Sequence, residues 1–212
     1  MRMKALQSKG LTIAIGVALI FGLIPFTLLA AAVPRPTNVV QSGTERALKL
    51  IRSNCPEGQS FVLRHHRVEI EEIVREYCDF VDMAMRSLGP HWKSQPAPKQ
   101  QEFVKLFEEM IFTTYINRVD TYACADEKVV YDAESVDGTY AVVKSRVTGY
   151  KGSDVAIEYR LRLKNEEWKA YDVIIEGVSL VNNYRQQFNA ILARESFDGL
   201  LQRMRNKVVE IK

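Results

Sequence analysis

Residues 153–164 read Ser-Asp-Val-Ala-Ile-Glu-Tyr-Arg-Leu-Arg-Leu-Lys, and their alternation decides the fold class. Val155, Ile157, Tyr159, Leu161 and Leu163 fall on one side of an extended chain. Glu158, Arg160, Arg162 and Lys164 fall on the other, with Ala156 among them, which is the period of a strand with one dry face. Working outward, residues 129–136, 140–149 and 168–175 give three more strands. Asp137-Gly138, Lys151-Gly152 and Asn165-Glu166-Glu167 separate them. Connections this short join antiparallel neighbours.

On both flanks the period becomes helical. From near His65, one stripe carries Val68, Ile70, Ile73, Val74 and Tyr77. It continues with little break through Phe80, Met83, Ala84 and Leu88 to Gly89-Pro90. After a turn over residues 94–98, Phe103, Phe107, Met110, Ile111 and Thr114 make the longest apolar face, running on toward Val119 and Tyr122. Two closing helices are expected over 180–194 and 197–208. Near the other end Thr44 resembles a helix start, with Ala47, Leu48 and Ile51 on one stripe. Pro34 and Pro36 make residues 33–43 read as an extended tether. The expected fold is therefore α+β: a curved four-stranded antiparallel sheet covered on its inner face by helices, all within residues 44–212. Periodicity alone leaves open whether the two layers close into a solid core or enclose a gap.

Residues 1–32 read as an export signal: Arg2, Lys4 and Lys9, then an apolar run from Leu11 to Leu29, then Ala30-Ala31-Ala32 as a cleavage site. A run of about 20 apolar residues also suffices for a membrane anchor, the alternative at this end. The whole chain carries 29 Lys+Arg against 26 Asp+Glu, with a pI near 8.7. The leader holds three of the basic residues and no acidic one, so the remainder is formally neutral. Neutrality argues against a nucleic-acid binder, which needs a clustered basic surface. About 180 residues suffice for one domain with a core. Cys55, Cys78 and Cys124 are too few and too scattered for a disulfide framework or a metal site. Two of them could pair, or all could be buried hydrophobes.

Candidate chemistry is sparse. His65 and His66 are adjacent and so diverge on a helix, which favours a solvated helix end over a metal site. His91 sits beside Trp92 in a loop. Asp79 and Asp82 share a helix face and read as solvated surface. Asp172 interrupts an apolar strand. It could be a base of raised pKa, but a partner for an arginine or a cap on the helix starting near Ser179 is the preferred reading. No nucleophile elbow or phosphate cradle is present.

The run Trp168-Lys169-Ala170-Tyr171-Asp172-Val173-Ile174-Ile175-Glu176-Gly177-Val178-Ser179-Leu180-Val181 closely resembles the signature of the MlaC or toluene-tolerance family. The likeness continues through Asn183-Tyr184-Arg185, Gln187-Phe188, Ile191 and Phe197-Asp198-Gly199-Leu200-Leu201. Upstream, Met83-Ala84, Leu88-Gly89-Pro90-His91-Trp92-Lys93, Gln100, Phe103, Phe107 and Tyr115 match as well. The resemblance implies a periplasmic, non-enzymatic, monomeric phospholipid carrier without cofactor, on a nuclear-transport-factor-like cone with an apolar cavity, and charge neutrality adds that no nucleic-acid partner is expected. It implies an inner-membrane ABC transporter with a lipid-transfer subunit and an outer-membrane lipoprotein–porin complex as partners, in maintaining outer-membrane lipid asymmetry. A hopanoid or other polycyclic-lipid carrier of the same family is the alternative. An isomerase or dehydratase on the same cone, with Asp172 as its base, and an interaction module with a filled core are the readings from other classes.

The expected acyl-chain contacts come from the inward faces. They are Phe80, Met83, Ala84, Leu88, Phe107, Met110, Ile111 and Tyr115 from the helices. Val155, Ile157, Tyr159, Leu161, Tyr171, Val173 and Ile175 come from the sheet, and Val181, Tyr184 and Phe188 from the returning helix. Each buried methylene favours an apolar site over water by about 0.8 kcal/mol, so such a cavity must match a bilayer without exceeding it.

Overall fold

A computed structural model describes residues 33–54, 60–61, 66–116, 122–123, 128–150 and 153–211. The expected leader, Cys55, His65, Val119 and Cys124 lie outside these residues.

The four expected strands are present as β3 (Lys128–Asp137), β4 (Tyr140–Tyr150), β5 (Ser153–Lys164) and β6 (Glu167–Ile175). Each pairs antiparallel with the next. A fifth, β7 (Val178–Ser179), is added through the two-residue turn Glu176-Gly177, both at positive φ, which matches the twist of a tight hairpin. A separate pair joins β1 (Ser60–Phe61) to β2 (Tyr122–Ala123), so Tyr122 lies in a strand and not on the long helix.

The N-terminal tether is corrected. Helix α1 spans Pro36–Ser53, leaving only Val33–Arg35 outside it. Proline at the first helical position is pre-set for a helix and forfeits no bond there. The Glu134 carboxylate of β3 accepts the Thr37 N–H at 2.7 Å and holds Arg35 at 3.0 Å. A strand thus caps the helix, a partner invisible to local reading.

The helical stripe expected to run from His65 to Leu88 is two helices, α2 (Arg67–Tyr77) and α3 (Phe80–Leu88). Cys78 is extended and bridges to Ala170, whose carbonyl accepts the Asp79 N–H at 2.8 Å. The Asp79 carboxylate then caps α3 by accepting the Asp82 N–H at 2.9 Å. A 3₁₀ turn (Gly89–Trp92) leads to α4 (Ala97–Ile111), which passes into a π-helical turn (Phe112–Ile116). Helices α5 (Leu180–Leu192) and α6 (Phe197–Ile211) close the chain.

Two cores result. Val40 of α1 packs on Ala141, Val143, Leu161 and Trp168 of the sheet's inner row. The larger core is helical: Phe80, Met83, Ala84 and Leu88 of α3 meet Phe103, Phe107, Met110 and Ile111 of α4. Val181, Tyr184 and Phe188 of α5 and Leu200, Leu201 and Met204 of α6 complete it. Phe103 meets Phe188 edge-on at 5.3 Å, and Phe107 meets Tyr184 likewise at 5.3 Å. The inner face of the sheet is therefore covered by α1 and α2, and not by α4.

Candidate functional site

Register defines the inner row. Leu161 pairs with Ala141 and Ala170, Tyr159 with Val143 and Val173, and Ile157 with Ser145 and Ile175. Between Ala170 and Asp172 the register of β6 slips by one against β5, leaving Tyr171 unmatched. A bulge of this kind turns two successive side chains to one side. Tyr171 consequently leaves the inner row, contrary to expectation. It meets Tyr140 edge-on at 5.9 Å on the outer face, beneath the Arg86 guanidinium at 3.9 Å.

Against the inner row, α1 and α2 leave a cavity of about 250 Å³. Its walls are Val39, Val40, Gly43, Thr44 and Ala47 of α1, Ile73, Val74 and Tyr77 of α2, Cys78, Tyr159 and Leu161 of β5, and Ala170 and Val173 of β6. The Thr44 hydroxyl is committed to the Val40 carbonyl at 3.0 Å and to the Tyr131 hydroxyl. Burial, with a smaller contribution from the Asp79 carboxylate, pushes the Cys78 thiol up to about 12, so it stays protonated at neutral pH. Among the described residues no carboxylate, imidazole or cation lines the cavity. Outside it, Tyr77 bonds Ser42 at 3.0 Å and Arg46 at 3.2 Å, and Arg46 pairs with Glu76 at 2.6 Å.

Of the expected contact residues, Tyr159, Leu161 and Val173 line this cavity, and Val155, Ile157 and Ile175 continue the same row, half-buried. Phe80, Met83, Ala84, Leu88, Phe107, Met110, Ile111, Val181, Tyr184 and Phe188 are packed in the helical core, with Tyr115 against it. Met110, Tyr115, Tyr184 and Phe188 also border a cleft of about 590 Å³ between α4, α5 and α6. That cleft is the larger, but Asn183, Gln187, Arg203, Asn206 and Lys207 share its lining. A hydrocarbon chain is better matched by the smaller space, whose walls offer it almost no polar group to desolvate. Val39, Val40 and Gly43 of the α1 lining fell in the expected tether because two prolines masked the helical spacing ahead of Thr44. Ile73, Val74 and Tyr77 lay on a recognised stripe, but its partner layer was not visible.

The candidate acidic residues are structural. Both oxygens of buried Asp172 are engaged: one accepts the Ser179 hydroxyl at 2.7 Å, the other the Val181 N–H at 3.1 Å. Asp172 and Ser179 together cap α5, and Arg160 lies 3.6 Å away, which bears out the capping and arginine-partner reading. Asp82 is not solvated, as expected, but fully buried, paired with Arg86 at 3.0 Å and Arg162 at 3.4 Å. It faces the cationic outer row of β5. His66 lies 3.6 Å from Glu69 at the start of α2, and His91 sits in the 3₁₀ turn. Among the described residues no group of three His, Cys, Asp or Glu side chains could hold a metal ion, and no helix is long and apolar enough to cross a membrane.

Comparison with known proteins agrees with this architecture. The intermembrane phospholipid transport system binding protein MlaC of Haemophilus influenzae is 24% identical over 199 residues, covering 87% of this chain and 90% of that protein. The toluene tolerance protein ttg2D of Pseudomonas putida is 26% identical over 178 residues, covering 83% and 81% respectively. A phospholipid-binding protein from Ralstonia solanacearum, solved in complex with a phospholipid, shares the fold. Its TM-score is 0.72 at 22% identity, covering 84% of this chain and 99% of that one. The family model described as MlaC protein matches residues 43–206. Spanning the cavity's sheet, both cores and most of the chain, that match shows that the protein belongs to the MlaC family.

Proposed function

We propose that this protein is a periplasmic lipid carrier that takes phospholipid acyl chains into the cavity between α1, α2 and the inner row of the sheet. The observation that carries the reading is the character of that cavity: its walls are predominantly apolar and, among the described residues, carry no ionised group. Hydrocarbon gains about 0.8 kcal/mol per methylene on leaving water for such a lining. No catalytic constellation borders it among the described residues, and in this reading the protein returns its cargo unchanged. Tyr159, Leu161 and Val173 contact the chains, Val155, Ile157 and Ile175 extend the track, and Val39, Val40, Ala47, Ile73 and Val74 form the opposite wall.

In this reading the leader directs export. The carrier then shuttles lipid between an inner-membrane ABC transporter with a lipid-transfer subunit and an outer-membrane lipoprotein–porin complex, maintaining outer-membrane lipid asymmetry. The names of the Haemophilus and Ralstonia proteins support phospholipid as the cargo.

The test is lipid extraction and mass spectrometry of protein purified from its native periplasm. Glycerophospholipid is expected from the parent, and its loss from Tyr159→Glu and Val173→Asp, with helical circular dichroism retained because the larger core lies elsewhere. A parent protein free of lipid overturns the carrier reading. A polycyclic lipid in place of phospholipid overturns the cargo alone.

A further inference from the structure

Across the sheet from the cavity, three arginines from three elements line one pocket of about 320 Å³: Arg86 of α3, Arg160 of β5 and Arg185 of α5. Each is held in place by a different device. Arg86 stacks 3.9 Å over the Tyr171 ring and bonds Asp82 at 3.0 Å. Arg160 bonds Glu158 at 3.2 Å from the outer row of the sheet. Arg185 donates twice to the Arg86 carbonyl, at 2.9 and 2.7 Å, in the last turn of α3.

Charge accounting shows what is missing. Asp82, Glu158 and Asp172 are the carboxylates paired with Arg86, Arg160 and Arg162. Arg185 has no carboxylate partner among the described residues. Asp172, the acidic group in the pocket wall, already has both oxygens occupied by the α5 cap. Because Arg162, outside the pocket, shares Asp82 with Arg86, these four arginines face three carboxylates and carry one positive charge in excess, and Arg185 has three of its five N–H groups unused by the α3 carbonyl. Like charges gathered this way repel until an anion enters.

We propose that this pocket binds a phosphate group, independently of the acyl-chain cavity. A single arginine fork matches a planar carboxylate. Guanidiniums converging from three separate elements match the several oxygens of a tetrahedral anion. Since Arg160 lies on the opposite face of β5 from Tyr159, the phosphate is not the headgroup of a lipid whose tails fill the cavity. It is either a free phosphate or the headgroup of a lipid in a membrane surface.

The test follows the arginine Nε–H resonances of the purified protein while inorganic phosphate is titrated at constant ionic strength. Arg86, Arg160 and Arg185 are expected to shift together along one saturating curve, while Arg203 and Arg205 stay still. Arg160→Ala, a substitution at the sheet surface, should weaken the binding about tenfold or more. Arg185→Lys keeps the charge but loses the fork on α3, and should weaken it comparably. Flotation with phosphatidylglycerol vesicles separates the sources. Association that phosphate competes away and Arg160→Ala abolishes assigns the headgroup, and phosphate binding without vesicle association assigns the free anion. Both support the site. Equal, unsaturating shifts at all arginines, or Arg160→Ala binding like the parent, overturn it. Saturation by a polyglutamate peptide where phosphate has no effect overturns the phosphate assignment in favour of an acidic protein partner. Tyr159→Glu should leave phosphate binding intact, so failure of the cavity reading and failure of this one are separable.

Discussion

At Gly43 an added Cβ would stand 2.9 Å from two carbons of the Tyr77 ring, so the absence of a side chain there lets α1 and α2 approach over the cavity. Replacing a helical glycine by alanine ordinarily gains about 1 kcal/mol, whereas overpacking costs about 1–3 kcal/mol. Gly43→Ala is therefore expected to lose on the order of 1 kcal/mol in urea denaturation. A gain in stability would show that the ring moves aside freely. Asp82 makes a second residue-level case. Fully buried between Arg86 and Arg162, it neutralises charges that cannot all reach water. Asp82→Ala should cost on the order of 3 kcal/mol, the lower end for breaking a buried pair because both arginines keep some exposure. A midpoint shift under a third of that would mean the arginines simply swing outward.

Among the elements, α1 depends most visibly on a distant partner. Burial alone would raise the Glu134 carboxyl, but Thr37, through its side chain and its N–H, and Arg35 outweigh it and hold the group below the ordinary carboxylate range. Its folded pKa is depressed, so the stabilisation is present above the unfolded value and is lost as pH falls through the folded one. Amide protection in the first turn of α1 is expected to drop as pH falls from about 5 toward 3. Glu134→Gln should flatten that dependence and cost about 1 kcal/mol, as lost caps do. If α1 protection stays constant over the range in the parent protein, Glu134 is not its anchor. The same logic explains why the family-like stretch from Tyr171 to Arg185 touches the cavity mainly through Val173. The bulge stacks Tyr171 under Arg86, Asp172 caps α5, and Arg185 caps α3. Much of the motif fastens the helical core to the sheet.

For the molecule as a whole, two cores divide the work, with the apolar cavity lying between α1, α2 and the sheet. At about 250 Å³ the cavity is smaller than the roughly 300–1,000 Å³ of ordinary ligand pockets, so on the proposed reading loading a lipid requires α1 and α2 to move off the sheet. In the helical core Phe103, Phe107, Leu88 and Leu200 are wholly buried, and the proposed reading asks no movement of them. Hydrogen exchange on lipid-loaded against delipidated protein should show protection changing in α1, α2, β5 and β6 and unchanged in α4 and α6. Loading should also raise the Tm with lipid concentration, since ligand binds only the folded state. Equal changes in both cores would mean that they open as one unit.

Strand existence, the antiparallel order and the closing helices were readable because each rests on a period of two or 3.6 within a dozen residues, as in 153–164. So was the role of Asp172, a carboxylate interrupting an apolar strand whose expected partners were an arginine or the start of the next helix. Which faces meet was not readable. The stripes of α3 and α4 are as apolar as that of α1, and nothing local states that they pack on each other while α1 and α2 cover the sheet. The inward direction of Tyr171 failed because a one-residue bulge reverses alternation, and a bulge is set by pairing with β5, not by the strand's own residues. The amino-acid sequence by itself determined the four long strands, their antiparallel order and the closing helices. Tertiary structure alone decided the cavity, because a cavity belongs to the space between layers and has no residue of its own.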